Sequence, residues 1–333
     1  METFPELVHH LNMYIINWED SYALLITGAL GILSIVLIIR WRTSRLIKIN
    51  QQLKEREIIA RQVAKQKEEL TIKNKNITDS LIYAKRIQEA LLPSDVTLHN
   101  LLKHSFLLYK PKDIVSGDFY WINKKEEKLF LAVVDCTGHG VPGAFMSIIG
   151  VELLDNIIKD QNVTEADKIL LELNKGIAAA LSREDAKGRS ILDGMDIALC
   201  VIDKKKKEME FAGAFRPIYL LYDNKIDEIK GNRFSVGTKV AQMDAFEITK
   251  RNIPLMNLDM VYLFTDGYAD QFGGQEGKKY KYRRFRHLLL NIHQLPMEEQ
   301  KAYLQKSIEQ WMGDEEQVDD ILILGFDPRK IIE

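Results

Sequence analysis

The hydrophobic pattern of the chain begins with one uninterrupted apolar segment. Residues 22–39 read YALLITGALGILSIVLII and carry no charge. At about 1.5 Å per residue, a helix of this length nearly crosses a hydrocarbon core of about 30 Å. Two acidic residues, Glu19 and Asp20, precede the segment. Three basic residues follow it, namely Arg40, Arg42 and Arg45, and a tryptophan lies at each edge, Trp18 and Trp41.

This asymmetry predicts a membrane anchor with a defined orientation. Basic residues favour the cytoplasmic side, and acidic residues before the segment argue against a signal peptide. We expect a short extracytoplasmic N-terminus over residues 1–20 and one transmembrane helix over residues 21–40. The rest would lie in the cytoplasm, attached to the inner (cytoplasmic) membrane. A buried core helix is the alternative.

A heptad pattern follows the anchor. Residues 41–92 contain neither glycine nor proline, and ten of the fourteen a and d positions counted from Leu46 are apolar. This predicts a coiled-coil signalling helix over residues 41–92 that forms a parallel homodimer. A single solvated helix is the alternative. Pro93 ends the helix.

Beyond Pro93 the pattern changes to short apolar runs bounded by turn residues, which predict strands in a single domain over residues 93–333. The runs are DFYWI, LFLAVV, MDIALCVID, EMEFAGA, PIYLLY, MVYLFT and ILILGF. Amphipathic stretches predict helices from Pro142 toward Lys159, from Thr164 to about Ser182, and a pair over 280–312. Antiparallel strands interrupted by helix pairs indicate an α+β fold with helices covering the sheets.

Composition and charge exclude some classes of function. The 333 residues carry a net charge of −2, which argues against a nucleic-acid partner because phosphate binding needs a strongly positive face. The two cysteines, Cys136 and Cys200, lie in apolar runs without metal-type spacing, so we expect reduced thiols and no zinc site.

Acidic residues lie at the ends of four predicted strands: Asp118, Asp135, Asp266, and Asp319 with Asp320. Each alone is more often a turn-former than a ligand. Together they would repel one another unless protons or cations compensate, and oxygen ligands favour Mg²⁺ or Mn²⁺. Two such ions can activate water for attack on a phosphoryl centre. Asp135 would bridge them, with Gly138, Gly140 and Gly143 allowing a tight turn beside it.

Five motifs over residues 80–328 closely resemble the SpoIIE-type branch of the metal-dependent protein phosphatases, the protein phosphatase 2C superfamily. They are SGDFYW, DCTGHGVPGAFMS, AGAFRPIYLL, FTDGYADQFGG and DDILILGF. The resemblance implies a central antiparallel β-sandwich flanked by helix layers (α-β-β-α), with two Mn²⁺ or Mg²⁺ ions at one end. It also implies a serine/threonine phosphatase that acts on a phosphoprotein, such as an anti-sigma-factor antagonist or a similar switch protein.

The resemblance also suggests roles for individual residues. Asp135 matches the acid that bridges both metals, and the Cys136 carbonyl is a further ligand. Asp118, Asp266 and Asp319 match the remaining metal-binding acids, with Asp320 beside them as a ligand or a support. No covalent phosphoenzyme is expected.

Several assignments stay open in the sequence. His139 is a candidate general acid, or a structural residue. Arg216 is a candidate phosphate contact, or an exposed loop arginine. Two acids in DGMD, residues 193–196, could hold a third cation or cap a turn. The segment KKYKYRRFR, residues 278–286, could steer an acidic phosphoprotein or form a solvated helix face.

Other functions fit the sequence less well. A phosphatase-like scaffold that binds a phosphoprotein without hydrolysing it is the main rival, although all four ligand-type acids are present. A sensor kinase would need a glycine-rich ATP lid and a phosphoacceptor histidine in the coiled coil, and the sequence contains neither. A diguanylate cyclase would need an acid pair beside the glycines of FGGQEG. The coiled coil either regulates the metal site or only tethers the domain.

Overall fold

The computed structural model describes residues 4–181, 193–237 and 247–332. Contacts divide the chain into two compact units, Met1–Asn76 and Ile77–Glu333. Residues 77–92, which the sequence pattern grouped with the coiled coil, therefore belong to the second unit. That unit contains the sheets and the candidate site.

The helices of the described chain include one very long N-terminal element and six that follow it. Their bounds are α1 Phe4–Leu91, α2 Asp95–Leu101, α3 Gly140–Lys159, α4 Ala166–Leu181, α5 Gly267–Asp270, α6 Tyr282–Ile292 and α7 Met297–Met312. A short 3-10 helix, Pro328–Ile331, ends the fold. The predicted helices are confirmed, although α3 begins two residues before Pro142. Ser182, the predicted end of α4, lies outside the described residues.

The strands form two five-stranded antiparallel sheets and one small hairpin. Their bounds are β1 Ser105–Lys110, β2 Phe119–Lys125, β3 Lys128–Cys136, β4 Met195–Asp203, β5 Glu208–Ala214, β6 Ile218–Tyr222, β7 Lys225–Ile229, β8 Arg251–Pro254, β9 Met260–Phe264, β10 Phe272–Gly273, β11 Lys278–Lys279 and β12 Ile321–Phe326. The sheet orders are β1-β12-β9-β6-β7 and β2-β3-β4-β5-β8, and β10 pairs with β11. All seven predicted strands are present.

The two sheets pack face to face and each carries helices on its outer face. Side chains alternate along β3, so Leu129, Leu131 and Val133 face the other sheet, while the residues between them pack against α3 and α4. The other sheet packs its outer face on α6 and α7. Because both faces of these central strands are buried, the sequence shows continuous apolar runs there. The predicted α-β-β-α order of layers agrees with these three cores.

Two helices of the described chain are long and apolar enough to cross a bilayer. One is the part of α1 that begins at Ser21, and none of its 18-residue apolar window is buried. The other is α3, half of which is buried against the sheet, as expected of a core helix. The helical state of residues 21–40 and 41–91 is confirmed. Membrane insertion and pairing of the coiled coil remain predictions.

Candidate active site

The strand register brings the acidic strand ends to one end of the sandwich. Phe119 at the start of β2 pairs with Val134 near the end of β3, and Asp135 pairs with Asp196 at the start of β4. In the other sheet, Phe264 at the end of β9 pairs with Ile323 near the start of β12. In antiparallel pairs the start of one strand lies beside the end of its neighbour. Residues that are distant in sequence are thereby brought to the same edge of the sheet.

Side-chain alternation then turns most of these acids into the gap between the sheets. Asp135 continues the series of Leu131 and Val133, whose side chains face that gap. Asp196 lies on β4, and Asp118 and Asp320 lie one residue before β2 and β12. Each is two residues before an apolar side chain that faces the gap. Since successive side chains of a strand alternate between faces, these positions predict convergence.

Arg216 lies at the centre of the cluster. Its Nη2 is 2.8 Å from Asp266 Oδ2, 3.1 Å from Asp135 Oδ2 and 3.4 Å from Asp196 Oδ2. Its side chain is only 12% exposed. The interpretation of Arg216 as an exposed loop arginine is therefore wrong. Asp196, one of the two acids of DGMD, belongs to the cluster rather than only to a capped turn.

Asp118 is one of the two most deeply buried of the acids, together with Asp320. It is 3% exposed, and its Oδ2 has no hydrogen-bond partner. Thr265, the residue before Asp266, hydrogen-bonds to its carboxyl group. A buried carboxylate oxygen without a partner is costly. An unfilled acceptor of this kind fits a ligand that binds here.

Asp320 organises the backbone around Asp118. Its Oδ1 accepts the Lys112 N–H at 2.7 Å, and its Oδ2 accepts the N–H groups of Gly117 and Asp118 at 2.8 and 3.4 Å. Asp319 accepts the Asp320 N–H at 2.9 Å. The contacts of Asp320 are those of a support for the turn that carries Asp118.

The first turn of α3 packs directly on that same turn. Gly138 and Gly140 have φ of +83° and +66°, the left-handed region that favours glycine. A Cβ on Gly143 would clash with the carbonyl of Gly138 and the Cα of Gly117. The predicted tight turn beside Asp135 is confirmed, and Gly143 is needed for close approach rather than for the turn.

The electrostatics show a site with excess negative charge. Burial raises the pKa of Asp118 well above its ordinary value, and the neighbouring Asp135 adds to the effect. Burial also raises the pKa of Asp135 and of Asp196, although Arg216 opposes the shift in both. The pKa of Asp319 is raised by burial and by Asp266. A further cation would relieve this repulsion.

His139 lies at the edge of the cluster. Its Nδ1 is 2.7 Å from Asp113 Oδ2, its Nε2 is 3.1 Å from Lys112 Nζ, and its side chain is 51% exposed. Lys112 and Asp113 lie outside the recognised motifs, so the sequence provides no sign of their contacts with His139. Their proximity fixes the orientation of the imidazole.

Cys136 is buried at the end of β3, and burial raises the pKa of its thiol well above the usual range. A neutral thiol is a poor metal ligand, since the thiolate is the binding form. Both cysteines of the chain are unpaired. The Cys136 backbone carbonyl, which the resemblance implies as a further metal ligand, remains a prediction.

The donor set fits hard divalent cations. Carboxylates from Asp118, Asp135, Asp196, Asp266 and Asp319 supply the oxygen ligands that Mg²⁺ and Mn²⁺ prefer, and Asp118 Oδ2 is a free acceptor. As the side chains stand, no three His, Cys, Asp or Glu groups within residues 4–181, 193–237 and 247–332 surround one metal-sized point. Arg216 occupies the position between three of the acids instead.

The end of α1 is attached to the site through Gln88, which is 4% exposed. Its Nε2 donates to the Ser116 carbonyl at 2.6 Å and to Ser147 Oγ on α3 at 2.8 Å, and its Oε1 accepts the Ser116 N–H at 3.2 Å. Ser116 begins the turn that carries Asp118. The heptad pattern assigned Gln88 to a polar a/d position and gave no sign of this contact.

The basic segment 278–286 lines a surface cleft of about 1080 Å³ beside the site. Arg286 pairs with Glu228, and Arg284 stacks on Trp311 at 4.2 Å. The ring of Tyr282 lies 6.3 Å from that of Phe264, two residues before Asp266. The segment is therefore partly paired, and its cleft adjoins the carboxylates.

Comparison with known proteins identifies this arrangement. The family model "Stage II sporulation protein E (SpoIIE)" matches residues 125–329. The chain belongs to the SpoIIE family. It is a protein serine/threonine phosphatase of the PP2C type. The comparison with curated proteins gave no match.

Solved structures of SpoIIE-type domains agree with this assignment. The SiaA-PP2C domain of Pseudomonas aeruginosa is 34% identical, with a TM-score of 0.68, over 76% of this chain and 98% of that domain. The PP2C domain of SpoIIE from Bacillus subtilis is 16% identical, with a TM-score of 0.52, over 67% and 62% of the two chains. The RsbU and RsbW domains of a Mycobacterium tuberculosis protein are 16% identical, with a TM-score of 0.51, over 68% and 60%. The last two show the fold alone.

Proposed function

We propose that this SpoIIE-family protein is a membrane-anchored phosphatase that removes phosphate from phosphoserine or phosphothreonine in a switch protein, with the help of two divalent cations. The observation that carries the proposal is the convergence of five carboxylates at one end of the sandwich, one of them with an unpartnered buried oxygen. The family resemblance supports an anti-sigma-factor antagonist, or a similar protein, as substrate.

The carboxylates of Asp118, Asp135, Asp266 and Asp319 and the Cys136 carbonyl would hold the two ions. The family resemblance implies Asp135 as the ligand that both ions share. PP2C-type phosphatases in general use Mn²⁺ or Mg²⁺. When bound, two such ions lower the pKa of water and offset charge on a phosphoryl group. Asp320 positions Asp118 through its three backbone contacts.

Arg216 and His139 would act on the substrate rather than on the ions. The Arg216 guanidinium is a permanent cation within reach of the cluster, suited to the oxygens of a phosphoryl group. His139, oriented by Asp113, could donate a proton to the departing side-chain oxygen. In-line attack by water would leave no covalent intermediate on the protein.

The N-terminal helix would place this chemistry at the cytoplasmic face of the inner membrane. Residues 21–40 would span the bilayer, and residues 41–92 would pair in a parallel homodimer. Gln88 supports a regulatory role for that helix rather than a passive tether, because it joins the last turns of α1 to the Ser116 turn and to α3. A change in the coiled coil would then alter the metal site.

The test is phosphate release by the full-length protein in detergent micelles. The substrate is a phosphoserine protein, assayed with Mn²⁺, with excess chelator, and as the Asp135→Asn variant. We expect chelation or the substitution to reduce the rate at least about a hundredfold, because both remove charge stabilisation of the transition state. Asp160→Asn, an exposed aspartate at the end of α3, is the matched control and should retain the wild-type rate.

Metal-independent hydrolysis, or full activity of Asp135→Asn, would disprove the proposed mechanism. The central position of Arg216 favours one other function, a phosphoprotein-binding scaffold in which the arginine permanently replaces the metal. Binding of the phosphoprotein without any phosphate release, at every Mn²⁺ concentration tried, would support the scaffold.

A further inference from the structure

A single nitrogen atom of Arg216 serves three carboxylates. Nη2 lies within 3.4 Å of Asp135 on β3, Asp196 on β4 and Asp266, which lies between β9 and α5. Arginine usually pairs with a carboxylate through two parallel hydrogen bonds of its planar fork. In this site three carboxylates surround one nitrogen atom instead. Carboxylates would surround a small spherical cation in the same way.

The Nε donor of the guanidinium lacks a hydrogen-bond acceptor. Arg216 Nε is buried and has no hydrogen-bond partner. An unpaired buried donor costs free energy, so this position is not a complete binding site for arginine. The side chain is held there by charge rather than by a full set of hydrogen bonds.

The backbone that carries Arg216 is fixed. Its N–H donates to the Ala214 carbonyl at 2.6 Å, and the Phe215 N–H donates to the Asn232 carbonyl at 2.8 Å. A Cβ on Gly213 or Gly231 would come within 2.8 Å of the Arg216 carbonyl oxygen. The loop therefore packs tightly, and only the side chain has freedom to leave the cluster.

We propose that Arg216 is a built-in cation that neutralises the carboxylates of the metal-free enzyme and competes with divalent ions for Asp135, Asp196 and Asp266. Occupation by a metal then displaces the guanidinium and makes it available to the phosphoryl group. This inference rests on the proposed metal requirement, since it concerns the same carboxylates.

Competition has a quantitative consequence. A metal ion can bind only to the fraction of protein molecules in which Arg216 has left the carboxylates. Its apparent Kd is therefore the intrinsic Kd divided by that fraction. By linkage, each metal bound weakens the arginine's contacts by the same factor. Arg216 therefore weakens metal binding and stabilises the metal-free fold at the same time. A purely structural arginine would do only the second.

The experiment measures Mn²⁺ affinity by titration calorimetry and the thermal midpoint without metal, on the full-length protein. Arg216→Met removes the cation and Arg216→Lys keeps a positive charge. We expect Arg216→Met to bind Mn²⁺ about tenfold more tightly, while its metal-free Tm falls by about 4 °C or more. Arg216→Lys should lie between Arg216→Met and wild type. Arg251→Met, an exposed arginine on β8, should change neither quantity.

A second measurement is made on the wild type and needs only the conservative variant, Arg216→Lys, for the assignment. Addition of Mg²⁺, which is diamagnetic, should shift the Arg216 side-chain Nε–Hε signal in a spectrum of arginine labelled with nitrogen-15, assigned by its loss in Arg216→Lys. The same titration should leave the Arg251 signal in place.

The outcomes separate this inference from the proposed function. Equal Mn²⁺ affinity in wild type and Arg216→Met, or an Arg216 signal that does not respond to saturating Mg²⁺, overturns the competition. Absence of Mn²⁺ binding to the wild type and to both Arg216 variants overturns the metal requirement itself, and the competition with it.

Discussion

Asp118 is a residue at which stability and function oppose each other. Its carboxylate is buried, its Oδ2 has no partner, and Asp135 lies near enough to raise its pKa. An uncompensated buried charge lowers stability, yet a charged oxygen aimed into a site is what a cation needs. Strain of this kind is retained where it serves binding.

The Asp118→Asn substitution should therefore stabilise the metal-free protein while abolishing its response to metal. We expect its Tm without metal to rise by about 2–4 °C, since about 1 kcal/mol of repulsion is removed. We also expect the Mn²⁺-induced rise in Tm seen in wild type to disappear. Thermal denaturation with and without Mn²⁺ measures both, with Asp160→Asn as control. A fall in the metal-free Tm together with a normal Mn²⁺ response would contradict this account of Asp118.

The last turns of α1 are an element whose role depends on one buried polar side chain. Gln88 contacts the Ser116 turn and α3 at once. A buried amide that makes three hydrogen bonds holds its neighbours in one arrangement, and loss of one partner leaves the others unsatisfied. The helix is thereby connected to the turn that carries Asp118 and to the first half of α3.

Substitution of Gln88 tests this connection. Gln88→Leu keeps the approximate volume but removes both contacts, so we expect a loss of about 1–3 kcal/mol in unfolding free energy and weaker Mn²⁺ binding. Gln88→Glu keeps the acceptor for the Ser116 N–H and should lie between Gln88→Leu and wild type. Gln51→Leu, an exposed glutamine far along α1, is the control. Unfolding in urea and Mn²⁺ titration are the measurements, and unchanged Mn²⁺ affinity in Gln88→Leu would show that the contact is only structural.

The strands differ in how strongly the hydrophobic pattern of the sequence predicts them. Central strands such as β3 and β4 were predicted because both faces are buried, which produces long apolar runs. Edge strand β7 has no fully buried residue, and β8 has one. Such strands show a weak pattern because half or more of their side chains meet solvent, so the sequence did not reveal them.

The molecule is nearly neutral, with a net charge of −2, but its charges are separated. Acidic groups cluster at the carboxylate site, and basic groups line the adjoining cleft. Lys281 and Arg283 are exposed there, and their side chains make no ion pair with any described residue. A cleft with one sign of charge attracts partners of the opposite sign. This supports the role of segment 278–286 in steering an acidic phosphoprotein.

The double substitution Lys281→Glu/Arg283→Glu tests the steering. We expect kcat/KM on phosphorylated casein, an acidic phosphoprotein, to fall about tenfold at low salt, because the cleft loses its attraction. The difference should shrink as salt screens the charges. Hydrolysis of p-nitrophenyl phosphate, which is too small to need the cleft, should be unaffected. The exposed pair Lys205→Glu/Lys306→Glu is the matched control; an equal fall in that control would assign the effect to net charge alone.

The candidate acids were visible in the sequence because each follows or precedes an apolar run, and the family motifs surround them. The anchor and the heptad pattern are local properties of consecutive residues, so length, hydropathy and charge were sufficient to predict them. The same holds for the central strands. These features depend on neighbours along the chain.

The place of Arg216 among three aspartates, the contact of Gln88, and the pairing of His139 with Asp113 depend on neighbours in space. Arg216 and Asp266 are 50 residues apart in the chain, and Gln88 and Ser147 are 59 apart. Such contacts follow from strand register and layer packing, which no local pattern encodes. The folded chain alone shows that the acids converge and which cation lies between them.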